Sequence, residues 1–151
     1  IQYSLVYRAP ELDTGVIEAC REHGVTPVAY SPMAQGLLTG KYSASASAQS
    51  VKGPRGGIFT ESRLSDVDGL IQTLREVGDV HGKTPAQVAV NWCMAKGTVT
   101  VPGAKNASQA ATVAGCLGGG VSEAAHQVGE KRGARAAKVA AATLERRGRG
   151  G

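Results

Sequence analysis

The sequence predicts an α/β fold built on parallel strands, and three observations carry that prediction. The first thirty residues read strand, helix, strand with short connections, the pattern of a βαβ unit. A second helix, announced by Thr84-Pro85-Ala86-Gln87, passes through one glycine into the β-branched run Thr98 to Val101. Two loops of small residues follow the carboxyl ends of predicted strands, where parallel α/β folds bind their ligands.

Each element has its own signals. Ile1 to Val6 reads as the end of a strand. Pro10 and Glu11 open a helix with Leu12, Val16, Ile17 and Cys20 on one face, and Gly24 stops it where a left-handed conformation suits glycine. Val25 to Tyr30 is a short strand. A long loop runs from Ser31 to about Leu64, and its middle, SASASAQSVKGPRGG, is low in complexity. Loops of that length inside a domain tend to be functional or disordered. Val67, Leu70, Ile71, Leu74 and Val77 then repeat at helical spacing, and Ser65 with Asp68 resembles a capping box. In the next helix Thr84 serves as N-cap, Pro85 as N1 and Gln87 as N3. It carries Val88, Val90, Trp92, Cys93 and Met94, which read as core packing, and stops at Gly97. Pro102-Gly103 ends the last strand, and Asn106 with Gln109 caps a final helix through about Cys116.

Beyond Cys116 the grammar changes. Gly118, Gly119 and Gly120 lead into a segment of Ala, Gly and Arg whose sizeable apolar residues are Leu117, Val121, Val128, Val139 and Leu144. The sequence therefore divides into a folded portion, 1–116, and a low-complexity appendix, 117–151. Of the formal charge of +5, the appendix carries +4. It has no aromatic residue to stack on bases and no nucleic-acid motif, so nucleic-acid binding is not expected.

No stretch approaches the ~18 apolar residues of a membrane span. Cys20, Cys93 and Cys116 form no C-x-x-C pair, which argues against a disulfide framework or zinc site and for a reducing, intracellular compartment. His23, His81 and His126 stand apart and read as solvated, so no metal site is expected. The first residue is Ile, no signal peptide is visible in the sequence, and the chain is expected to be incomplete at its front, where a missing N-terminus would hide one.

The loop VAYSPMAQGLLTGKY, Val28 to Tyr42, ends a strand on an aromatic ring and continues in small residues and one cation. The loop after Val101 leads into a helix N-terminus, whose free N–H groups and partial positive charge favour a phosphate. Lys105 stands beside that terminus, and Lys41 and Arg55 are further candidate cations. Together they suit a nucleotide with a phosphate beyond the bridging pair. G-x-G-x-x-G, a Walker loop, G-x-S-x-G and a legible Ser/His/acid triad are all absent from the sequence.

QYSLVYRAPE, VAYSPMAQGLLTGKY, GKTPAQVAVNWCMAKG and VPGAKNASQA resemble, in that order, the C-terminal half of the aldo-keto reductases. The look is closest to plant, often plastid-located, members, and it covers about Ile1 to Gly115. The resemblance implies the C-terminal portion of a (β/α)8 TIM barrel, NADP(H) as cofactor and a small-molecule carbonyl substrate. It implies a soluble protein of chloroplast or cytoplasm. By the same resemblance Tyr30 stacks on the nicotinamide. Ser31, Met33 and Gln35 line the pyrophosphate with Gly36 and Leu37 beside them, and Lys41 and Arg55 contact the adenosine end. Lys105 faces the 2′-phosphate, and Gln109 contacts the adenine or ribose. Thr112 and Val113 depart from the acidic and polar residues often found there. The Gly/Ala/Arg-rich ending does not match the family.

The family's catalytic tetrad of Asp, Tyr, Lys and His falls on strands that would precede Ile1, as does the glutamine that holds the nicotinamide amide. The expected function is thus the cofactor-binding portion of an NADPH-dependent carbonyl reductase, with no catalytic residue in this chain. Two other readings stay open: a non-catalytic NADP-binding auxiliary protein, and an inactive truncated gene product.

The five sizeable apolar residues of 117–151 would yield about 1.5–3 kcal/mol each if fully buried. Ordering a backbone costs about 1–2 kcal/mol per residue, so the appendix is expected to take no fixed place on the fold. Limited trypsin digestion should then cut at Lys131 to Arg149 before Arg75 or Lys96. Interior cleavage ahead of the tail sites would show that the tail is docked.

Overall fold

The computed structural model describes residues 1–42 and 59–117. The middle of the long loop, Arg55 within it, and residues 118–151 of the appendix lie outside the described residues.

The element order is α1 (Ala9–Leu12), α2 (Val16–Glu22), β1 (Val28–Tyr30), α3 (Glu61–His81), α4 (Pro85–Ala95), β2 (Val99–Val101) and α5 (Ala107–Ala114). The two strands are parallel, with Val28 beside Val99 and Tyr30 beside Val101. The segment before α1 adds a short third rung. The N-terminal amine of Ile1 donates to the Val28 carbonyl, Tyr30 N to Ile1 O, and Tyr3 N to Tyr30 O. The predicted strand Ile1 to Val6 is therefore one bridge, Gln2 to Tyr30. Ser4 turns away at once to exchange hydrogen bonds with Tyr7.

The single helix expected between Pro10 and Gly24 is two. The chain breaks after Leu12, and Gly15 (φ 66°) enters α2 in the left-handed region that glycine tolerates. This rotates Leu12 out to solvent, leaves Val16 and Cys20 half-buried, and brings only Ile17 fully into the core. The helix expected from Ser65 begins earlier. Thr60 is the N-cap of α3, its hydroxyl accepting from Arg63 N, so Ser65 and Asp68 lie inside the helix. The signals at Thr84 are as expected: both halves of the capping box are made, with Gln87 N donating to Thr84 Oγ1 and Thr84 N to Gln87 Oε1.

The core lies on one side of the sheet. Ala29 is buried against it, with Leu5, Leu37, Leu38 and Phe59 from the loops, Leu64, Val67, Leu70, Ile71 and Leu74 from α3, and Val88, Ala89, Trp92 and Cys93 from α4. The other face of the strands, carrying Val28, Tyr30, Val99 and Val101, is about half exposed. Gly78 lets the α3–α4 turn close, because a Cβ there would overlap the Lys83 carbonyl oxygen.

A charged cluster fastens the N-terminal segment to the end of α4. Glu11 accepts from the Tyr3 hydroxyl and from Arg8 Nε, each at 2.8 Å, and pairs with Lys96 Nζ at 3.2 Å. Arg8 and Lys96 both stand over the Trp92 ring, and Tyr3 packs on it at 5.2 Å. Burial alone would raise the Glu11 carboxyl, but hydrogen bonds from Tyr3 and Arg8 and the charges of Arg8 and Lys96 outweigh it and hold the group below its ordinary value.

A carboxyl held low stabilises the fold fully above its ordinary value near 4.5 and loses that contribution as pH falls through the folded value. Glu11→Gln should therefore lower stability at pH 7 by about 3 kcal/mol, because it breaks a largely buried ion pair. Urea unfolding at pH 3 should show a clearly smaller gap between variant and wild type. An equal gap at both pH values would mean that the carboxylate charge is not what stabilises this corner.

Candidate functional site: two loops at one sheet end

The parallel register places Tyr30 and Val101 side by side at the carboxyl ends of their strands. The loops that follow them, 31–42 and 102–106, leave from the same end of the sheet. Tyr30 is 52% exposed, so its ring is available at the site while its backbone is tied down by Ile1 and Tyr3.

The first loop has an unusual backbone. Ser31 (φ 57°), Ala34 (φ 48°) and Gln35 (φ 58°) all lie in the left-handed region, and Gly36 follows at φ 106°. Among the described residues these three are the non-glycine residues with positive φ. Each such residue costs about 1–2 kcal/mol, and strain of this kind collects at ligand sites. Buried side chains hold the run in shape: Pro32 at its start, then Leu37 and Leu38 in the turn Ala34–Thr39. Ala34 N donates to Ser31 O, Gly36 N to Met33 O and Leu38 N to Met33 O, and Thr39 Oγ1 closes on Gly36 O at 2.7 Å. Gly40 (φ 70°) ends the turn, its carbonyl accepting from Arg75 of α3. Lys41 is exposed, with its ammonium 5.9 Å from the Tyr42 ring, and that ring packs on Phe59.

The second loop ends in the capped start of α5. Asn106 Oδ1 accepts from Gln109 N at 2.9 Å, and Gln109 Oε1 accepts from Lys105 N at 2.8 Å. Gln109 thus spends its oxygen on the cap, a task its expected contact with adenine or ribose did not anticipate. Lys105 is exposed beside this helix start, where the dipole favours an anion.

Of the residues singled out in the sequence, Tyr30 ends β1, Ser31, Met33, Gln35, Gly36, Leu37 and Lys41 share the first loop, Lys105 lies in the second, and Gln109 lies in the first turn of α5. Leu37 is buried and serves as an anchor. Arg55 lies outside the described residues. Sequence reasoning missed the polar row Lys83, Gln87 and Asn91, which hydrogen-bonds the end of α5. Their four-residue spacing was the available signal. Among the described residues no group of three or more His, Cys, Asp or Glu side chains comes together for a metal ion. Burial pushes the Cys93 thiol up to about 12, so it is inert at neutral pH.

The model of the aldo/keto reductase family matches residues 1–118. The chain belongs to that family of oxidoreductases. Chloroplastic pyridoxal reductase of Arabidopsis thaliana is 38% identical over 118 residues, covering 78% of this chain and 31% of that protein. The Schizosaccharomyces pombe aldo-keto reductase yakc [NADP(+)] is 29% identical over 109 residues, covering 68% of this chain and 31% of that protein. Among solved structures, a glycerol dehydrogenase from Gluconobacter oxydans superimposes with a TM-score of 0.74 at 20% identity, covering 89% of this chain and 41% of that one. The fold is accordingly that of the family's TIM barrels, of which two parallel strands with their helices are described here. The chain spans about a third of the length of the curated relatives it matches.

Gly36→Ala tests the backbone of the first loop directly. A φ of 106° is costly for any residue with a Cβ, so the variant should lose more than about 1 kcal/mol in urea unfolding. Gln35→Gly, which relieves a left-handed residue, should be neutral or stabilising. Indifference to Gly36→Ala would show that the loop is not held in this conformation.

Proposed function

We propose that this segment is the cofactor-binding portion of an NADPH-dependent carbonyl reductase. The observation that carries the reading is the strained backbone run at Ser31 to Gly36, set by register beside the capped, lysine-flanked start of α5. In this reading Tyr30 offers a flat ring face to the nicotinamide. Ser31, Met33 and Gln35 present backbone to the pyrophosphate, with Gly36 and Leu37 beside them. Lys41 and Arg55 meet the adenosine end, Lys105 meets the 2′-phosphate, and Gln109 contacts the adenine or ribose. The name of the S. pombe relative supports NADP as the cofactor.

When bound, NADPH supplies a hydride to the carbonyl carbon of a small substrate. The proton for the carbonyl oxygen must come from an acid. Tyr3 is unsuited to give it: burial first, then the hydrogen bond to Glu11, push its phenol well above the ordinary range. The relative named pyridoxal reductase suggests a small aldehyde as the substrate of the whole protein, and a chloroplast as its location.

NADPH and NADH titrations followed by nicotinamide fluorescence test the assignment. Lys105→Met should weaken NADPH by about 10- to 100-fold, the value of a charge-assisted contact, and leave NADH nearly unchanged. Equal losses for both cofactors would sink the role given to Lys105. Incubated with NADPH and a panel of aldehydes, this chain alone should show no protein-dependent loss of nicotinamide absorbance. Turnover that survives purification would place the proton donor within it.

A further inference from the structure

We infer that Lys83, Gln87 and Asn91 are positioning residues for the phosphate end of the cofactor site; the inference rests on the NADPH reading above. None of the three faces the site. They act on α5, whose start carries Asn106 and Gln109 and follows Lys105.

The reason lies in how α5 is held. The helix buries no residue. Val113 is half-buried, and Cys116, just past its end, is buried with its sulfur 3.9 Å from that of Met94. So small an apolar contact leaves the tilt of a short rod poorly determined. Three polar side chains reach across from the neighbouring element instead. Lys83 Nζ donates to Gly115 O at 2.7 Å, Gln87 Nε2 to Thr112 O at 2.7 Å, and Asn91 Nδ2 to Cys116 O at 3.3 Å. These are carbonyls at the end of α5 and just beyond it, where helical partners run out. Spaced four residues apart, the donors line one face of α4 and the turn before it. The ammonium of Lys83 also suits the negative end of the helix dipole.

Gln87 joins two jobs in one amide. Its oxygen completes the capping box of α4 with Thr84 N, while its nitrogen holds α5. The contact also needs glycine at 115, since a Cβ there would overlap Gln87 Nε2. Held at its far end by this row and joined at its near end to β2 through the loop 102–106, α5 presents its first turn in one fixed direction. The strength with which that turn and Lys105 meet a 2′-phosphate then depends on residues that do not touch it.

Two substitutions break the same contact from opposite sides. Gln87→Glu keeps the acceptor that the capping box uses and replaces the donor to Thr112 O. Gly115→Ala displaces Gln87 without changing any charge. With the full chain, NADPH and NADH affinities are measured by titration beside Lys105→Met, and urea unfolding reports stability. Each variant should weaken NADPH about tenfold, the value of one or two hydrogen bonds, while NADH changes less than twofold. Should Gln87→Glu not fold, Lys83→Met replaces it with the same expectation. Parallel losses for both cofactors would reduce the row to a general support and overturn the inference. So would unchanged NADPH preference in the variants while Lys105→Met is selectively weakened, an outcome that leaves the NADPH reading intact. Wild-type protein without preference for NADPH would overturn both.

Discussion

Everything at the site depends on the parallel register of Val28–Tyr30 with Val99–Val101. Antiparallel neighbours would send the two loops to opposite ends. Parallel neighbours need a long crossover, here α3 and α4, and that crossover must return the chain to the starting end of the sheet. Both following loops then emerge together. The strands are only three residues each, so few hydrogen bonds fix the register. Its security comes from what packs behind. Ala29 is fully buried against the core, and Thr98 anchors the entry to β2 through its hydroxyl on Cys93 O.

The crossover has a second consequence, because α4 has two working faces. One carries Val88, Ala89, Trp92 and Cys93 into the core. The other carries Gln87 and Asn91 to α5. At its end, Lys96 reaches Glu11 beside the first rung of the sheet. A single helix thereby meets the N-terminal segment, the core and α5. Rotation of α4 would disturb all three, and its complete capping box resists fraying at the start of the rotation-sensitive face. Trp92 shows the cost of such crowding: its Nε1 is buried and finds no hydrogen-bond partner among the described residues.

The elements legible in the sequence were those whose signals are local. Thr84, Asn106, Gly24 and Gly97 each mark a helix boundary by their own side-chain chemistry or their own φ, and each stands where it was expected. The errors arose where a neighbour decides. Ser65 and Asp68 have capping chemistry, but Thr60 lies earlier in an extended conformation and captures the start of α3. Leu12 fits a helical stripe by spacing, yet the break at Gly15 turns it to solvent. Ile1 to Val6 has strand residues, but Ser4 and Tyr7 close on each other and leave one bridge to β1. At the site, residue types pointed to the two loops and register joined them. The left-handed run could not be read, because serine, alanine and glutamine have no intrinsic preference for it.

That run needs an energetic source. Three non-glycine residues in the left-handed region cost roughly 3–6 kcal/mol together. Leu37 and Leu38, fully or nearly buried in the same loop, return about 1.5–3 kcal/mol each. The two quantities are of one size, so the loop can hold its shape before any ligand arrives, provided both leucines reach the core. They reach it because α3 and Phe59 form the wall they enter, and because Arg75 fixes Gly40 O where the turn ends. The backbone of the loop is thus prepared by apolar burial within the same segment, Ser31 to Leu38. A loop ordered in this way would leave the free energy of ordering out of any binding at it, so that more of each contact would appear as affinity.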